Sequence, residues 1–179
     1  MSELNQFILL AEYNKLMNQR IFSSASQLPD EELKKNCSAF FGSILGTLNH
    51  IMVGDIVWLK RFSEHSSSRC SLLYISDIDK PKSLDSILFD DLESLKNERE
   101  KIDKVIIQWV RSLSDTDFSS YISYSSMGGK LFKKKCSSLI CHLFLHQVHH
   151  RGQVTTLLSQ AGISFGDTDL IEIIDEYDQ

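Results

Sequence analysis

The chain has 179 residues, 42% of them hydrophobic and 24% charged, with a formal net charge of −5. That length suits a single domain over residues 1–179, with a core that needs no staple. The acidic balance excludes the basic face of a general DNA or RNA binder, and the lack of any run of ~18 apolar residues excludes a membrane span.

Two prolines and eight glycines favour long uninterrupted helices. The four cysteines (Cys37, Cys70, Cys136 and Cys141) form no CxxC pair, and the opening MSELNQFILLAEYNK carries no cationic segment ahead of an apolar one. The expectation is reduced thiols and a cytoplasmic protein, with neither a nucleic-acid nor a membrane partner.

In chain order, Leu4, Phe7, Ile8, Ala11, Met17, Ile21 and Phe22 repeat near the 3.6-residue period and predict a first helix from Glu3 to about Ser24. Pro29 and the acidic residues after it predict a short helix or turn starting at Asp30. A second long helix is expected from about Ser38 to Phe62. Its core stripe runs through Phe40, Ile44, Leu48, Ile51, Asp55, Trp58 or Leu59, and Phe62. Beside that stripe lie the smaller Ser43, Gly46, Thr47, Gly54 and Val57, with His50 among them, so a neighbour approaches that face closely.

Glu64 to Asp85 is rich in serine, including Ser66 to Ser68, and contains Pro81, which marks a long connection. Leu88, Leu92, Leu95, Arg99, Ile102, Ile106, Trp109 and Leu113 then alternate steps of four and three, the seam of a bundle helix with Arg99 as its misfit. Between Asp115 and Lys135, FSSYISYSS alternates bulky and small residues ahead of Met127-Gly128-Gly129-Lys130, which predicts a small hairpin. A last long helix is expected from Ser137 to about Ala161, with its stripe at Leu139, Leu143, His146, His150, Gln153 and Leu157 and with Gly162 as the residue that ends it. A short C-terminal helix capped at Asp167 or Thr168 closes the chain.

The segment HLFLHQVHHRGQ, residues 142–153, carries the chemistry. His146 and His150 lie one turn apart on the core-facing stripe, where two imidazoles can share one ion. Such a pair needs a partner, because an unpaired buried polar group costs roughly 1–3 kcal/mol. His50, set among small residues on the second helix, offers a third imidazole. Three histidines from two helices leave coordination positions open to water or substrate. His142 and His149 remain alternatives by spacing, and the phase of the stripe favours His146 with His150.

Zinc is the default ion, with nickel and iron as further fits to imidazole. Acceptors for the outward ring N–H groups are sought among Asn49, Asp55, Gln147 and Gln153. Arg99 has two readings: a cavity-lining clamp for an anionic substrate, or the buried partner of Asp55 or Asp103. Cys141 reads as a packed small residue and Lys133 to Lys135 as a solvated turn. No GxGxxG, GxxxxGK[ST] or GxSxG occurs, so nucleotide binding and serine-hydrolase chemistry have no motif.

The HHRGQ run after His146, the TLNHIMVGDIVWLKRF stretch around His50, the LAEYNKLMNQR opening and the late TDL resemble the DNA-damage-inducible DinB family, in order and over nearly the whole chain. The resemblance implies a four-helix bundle of up-down-down-up connectivity, with one divalent metal held by His50, His146 and His150. The long connection at Glu64 to Asp85 agrees with that connectivity, in which two consecutive helices run parallel. Relatives in the wider superfamily are thiol-dependent S-transferases and isomerases, so the resemblance implies a metal-dependent thiol transferase or hydrolase in stress or detoxification, or a non-catalytic metal-stabilised module. It also implies a homodimer, which the apolar Leu72, Leu73 and Tyr74 would suit.

Overall fold

The computed structural model describes residues 2–65, 70–126 and 128–174. Four long helices form the bundle: α1 (Glu3–Ala25), α3 (Ile44–Ser63), α5 (Leu92–Arg111) and α7 (Cys136–Gln160). Shorter elements join them: α2 (Asp30–Lys34), α4 (Leu73–Ser76), α6 (Asp115–Ser119), the hairpin β1 (Tyr121–Ser125) and β2 (Leu131–Lys135), and a C-terminal 3-10 turn at Leu170–Ile173.

Helix starts are set by side chains that satisfy orphan amides. The Ser2 hydroxyl accepts from the Asn5 amide, the Ser43 hydroxyl from Gly46 and the Asp91 carboxylate from Ser94. At the end of α7 the chain turns through Gly162 at φ +77°, a conformation that favours a residue without a Cβ.

Contacts along the helices fix their directions. From one end of α3 to the other, Asn49 bonds the Phe89 carbonyl just ahead of α5, Asp55 pairs with Arg99, and Phe62 packs on Trp109 with centroids 4.6 Å apart. Those partners advance together, so α3 and α5 are parallel. His50 meets His150, Gly54 meets His146 and Trp58 meets His142, so α7 runs against α3. Phe7 lies against Phe144 and Asn18 bonds Arg151, which makes α1 and α7 parallel. The connectivity is up-down-down-up.

The parallel pair requires the crossover between α3 and α5, and its apolar residues do not all face water. Leu72 and Ile75 are fully buried against the bundle, which removes Leu72 from the exposed apolar set, while Leu73 and Tyr74 remain exposed. Ser66 to Ser68, and Met127 of the hairpin turn, lie outside the described residues.

Two expectations change. The second long helix begins at Ile44 rather than Ser38. Residues 38–43 instead fold back on themselves, with Ser38 at φ 55°, Gly42 at φ 76° and an Ala39–Gly42 bridge. Phe40 therefore leaves the core and is 88% exposed. The C-terminal element is a 3-10 turn preceded by Asp169; the carbonyls of Asp167 and Thr168 instead accept from Arg20 and Tyr13 on α1. The part of that expected helix beyond residue 174 lies outside the described residues. The hairpin pairs Tyr121 with Lys135 and Tyr124 with Phe132. It sets Tyr124 against Trp58, with centroids 5.1 Å apart, and so extends α3's exposed flank.

Candidate metal centre

His50, His146 and His150 meet between α3 and α7. The His50 Nε2 atom lies 3.2 Å from Nε2 of His146 and 3.2 Å from Nε2 of His150, and one ligand atom from each ring falls within 4.8 Å of the others. Local sequence explains the approach. A Cβ added at Gly54 would stand 2.5 Å from Cε1 and 3.0 Å from Nδ1 of His146, so the His146 ring occupies the space a side chain would fill.

Two of the three rings are held from behind. His50 Nδ1 donates to the Leu84 main-chain carbonyl at 2.7 Å, and His150 Nδ1 donates to Gln153 Oε1 at 2.8 Å. Phe41 stacks on His50 with centroids 3.7 Å apart. Of the expected acceptors, Gln153 serves and Asn49, Asp55 and Gln147 do not. Asn49 is occupied with the Leu45 and Phe89 carbonyls and the amides of Leu88 and Phe89. The Leu84 carbonyl and the Phe41 ring had no sequence signal, since the first is backbone and the second lies in a segment read as helix.

All three imidazoles are held neutral. Burial lowers the pKa of His50, against a smaller opposing pull from the Leu84 carbonyl. Burial also lowers His146, to about 3, with His150 and His50 adding to the effect. Burial is again the leading cause at His150, opposed by the Gln153 bond. With the Nδ1–H groups of His50 and His150 committed, the Nε2 lone pairs of these two rings face one another at 3.2 Å. A lone pair cannot donate to a lone pair, and His146 can supply at most one proton between them. A cation resolves this arrangement. Imidazole nitrogens on a tetrahedral zinc, each ~2.0–2.1 Å from the ion, stand roughly 3.3 Å apart, which matches the spacing. The donor set fits a divalent metal.

The cluster forms the floor of an open cleft of about 760 Å³. One wall is aromatic (Trp58, Tyr124 and Phe132), His142 and His149 stand at the rim, and among the described residues no Asp or Glu lines it.

Arg99 lies elsewhere. It is 2% exposed, pairs with Asp55, and sits 3.0 Å from Asp103. The clamp reading of Arg99 is therefore replaced by the ion-pair reading: both carboxylates claim the guanidinium, and the side chain does not reach the cleft. Asp103 also accepts from Asn18 at 3.0 Å, and Arg151 on α7 donates to Asn14 and to Asn18 and Gln147 at 3.2 and 3.3 Å.

The sequence profile of the DinB family matches residues 1–176. The chain is 28% identical over 160 residues to "Protein DinB" of Bacillus subtilis (strain 168), covering 89% of this chain and 88% of that protein. It is 24% identical over 153 residues to "Uncharacterized protein YizA" of the same strain, covering 86% of each. No solved structure matches the chain. The chain belongs to the DinB family.

Proposed function

We propose that this DinB-family protein binds one divalent metal ion, zinc by default, through Nε2 of His50, His146 and His150, and that it is a metal-dependent S-transferase or hydrolase acting in detoxification or stress. The observation that carries this reading is the convergence of Nε2 lone pairs whose rings are anchored through Nδ1, on the floor of a cleft. A bound ion supplies acidification of a coordinated water or thiol near neutral pH.

The chain's own residues do the rest. The Leu84 carbonyl and Gln153 hold two ligand rings in one tautomer, and the aromatic wall excludes water from one side of the cleft. In S-transfer the thiol proton passes to a rim imidazole. His142 is suited to receive it: its ring centroid is 6.0 Å from that of His146, and its pKa is lowered by partial burial and then by Lys134 and Arg61. The sulfur bonds the electrophilic carbon, and a departing halide takes the electron pair of the broken bond.

The test is a screen of the zinc-loaded protein with low-molecular-weight thiols and chloro or epoxide electrophiles. Sustained turnover that His150→Ala abolishes is expected. A second reading, a non-catalytic bundle whose metal supports folding, draws on the lack of any carboxylate in the cleft lining among the described residues. No turnover at full metal occupancy would favour it.

A further inference from the structure

The cleft has a second polar feature, farther along α3 than the three-histidine centre. Arg61 belongs to α3, 7 residues beyond Gly54, which at ~1.5 Å of rise per residue is roughly 10 Å along the helix. Its guanidinium carbon lies 4.5 Å from the Trp58 ring centroid and 4.7 Å from that of Tyr124, so two rings hold the group in place by cation–π contact. One N–H donates to the Ser125 carbonyl at 3.1 Å. Its other N–H groups find no acceptor, and it forms no ion pair, among the described residues. Three of the other four arginines with described side chains behave differently: Arg20, Arg99 and Arg111 each pair with a carboxylate, and the fourth, Arg151, is buried among amides.

Two further cations flank the same wall. The Lys130 and Lys134 ammonium groups stand 5.3 and 5.5 Å from the Phe132 ring centroid. In a protein of net charge −5 the cleft lining thus contains Arg61 and, among the described residues, no carboxylate, with Lys130 and Lys134 beside its Phe132 wall. Low-dielectric walls of one sign concentrate ligands of the opposite sign.

We infer that the cleft is built for an elongated ligand ending in a carboxylate: Arg61 takes the carboxylate, Trp58 and Phe132 flank an apolar body, and the other end reaches the three histidines. The inference rests on the proposed metal-dependent reading and adds the class of substrate. A stacked guanidinium with free N–H donors suits a planar carboxylate, which it can grip with two parallel bonds. The rings that hold the fork reduce the ordering needed on binding. The substrate anchor that the sequence suggested at Arg99 thus falls to Arg61, in register with the histidines on one flank of α3.

The test uses the zinc-loaded protein and two probes of equal length, ω-mercapto-octanoate and ω-mercapto-octanol. Binding is followed by calorimetry and by Trp58 fluorescence, because Trp109 is fully buried. The acid is expected to bind at least about tenfold tighter than the alcohol, as a charge-assisted hydrogen bond supplies. In Arg61→Gln the preference should fall to within about twofold, with zinc content and alcohol affinity unchanged; Arg61→Lys should keep part of it. Unchanged alcohol affinity also shows that the variant cleft is folded.

Equal affinity of the parent for both probes, or an undiminished preference in Arg61→Gln, would overturn the inference. A sulfur-free pair, octanoate and octanol on metal-free protein, separates it from the metal reading. An Arg61-dependent preference there supports the anchor even if zinc fails to bind, and its absence there counts against the anchor.

Discussion

Two polar clusters interrupt the apolar interior of this bundle, and they follow opposite logics. The first, between α1, α3, α5 and α7, gathers Arg99, Arg151, Asp55 and Asp103 with Asn14, Asn18 and Gln147. It contains both signs of charge, joined by ion pairs and amide hydrogen bonds, and it is sealed: Asp55 is fully buried. The second gathers neutral imidazoles alone, with lone pairs turned toward each other and a cleft above them. Burial of polar groups therefore does not mark a site by itself. A cluster that answers its own charges builds the fold, and a cluster of one kind of group awaits a ligand.

The sharpest way to break this comparison is Arg99→Met. The change leaves Asp55 and Asp103 without their cation and should cost about 3–5 kcal/mol, as removing one partner of a buried pair does, while metal content stays at the parental level. Chemical denaturation alongside elemental analysis reads both. A variant of parental stability would mean that the network is not structural.

The reciprocal test removes the ion. A metal that binds only the folded state stabilises it by about 2.7 kcal/mol at a hundredfold excess over Kd. Chelation should lower the melting temperature accordingly without unfolding the bundle, and it should change nothing in His50→Ala. Identical melts of verified loaded and metal-free parent would count against the site.

Gly54→Ala probes the close approach of α7 to α3. The new methyl meets the His146 ring, so the ring must shift while His50 and His150 keep their anchors. Metal affinity should fall roughly 10–100-fold, the range seen when the supports of a ligand are lost. Competition with a chromophoric chelator measures it, and parental affinity would show that His146 is not held where this contact places it.

The smallest expected effect is the pH response of the metal-free protein, and here the clusters pull in opposite directions. The three imidazoles have depressed pKa values, with His146 at about 3, so the unfolded chain binds more protons as pH falls below the ordinary histidine value near 6.5. Their contribution to stability is present above that pH and is lost on acidification. Burial outweighs the attraction of Arg99 at both carboxylates, raising Asp103 and pushing Asp55 up to about 6, which gives the reverse slope between about 4 and 6. With three imidazoles against two carboxylates, melting temperature should decline from pH 7.5 to pH 5. In a variant with His146 and His150 both replaced by alanine the decline should shrink; an equal decline would assign it to other groups.

Much of this was legible in the sequence because it was written in spacing. The four long helices, the crossover and the hairpin follow from period changes and breakers, and the three histidines from their phase on two stripes. Residues 38–43 misled because Phe40 continues the apolar period of α3, although Gly42 followed by Ser43 signals a turn and a cap. The α1–α5–α7 network was nearly silent. Reading the core from apolar periodicity assigns Asn14, Asn18 and Arg151 to the surface, and only their partners on other helices give them a reason to be inside. Arg61 likewise stood in the motif around His50 but gained meaning only when the hairpin brought Tyr124 to it.

The acceptor that orients His50 belongs to the main chain, and this decides how the centre tolerates drift. Leu84 is half exposed, and its side chain plays no part in the bond. Almost any residue at that position preserves the carbonyl, so point substitution there is nearly invisible to the ligand ring. Lengthening or shortening the crossover moves the carbonyl itself. The evolvable parameter behind His50 is therefore loop length, and grafted crossovers of different length on an unchanged bundle give a direct means of retuning the centre without altering any of its three ligands.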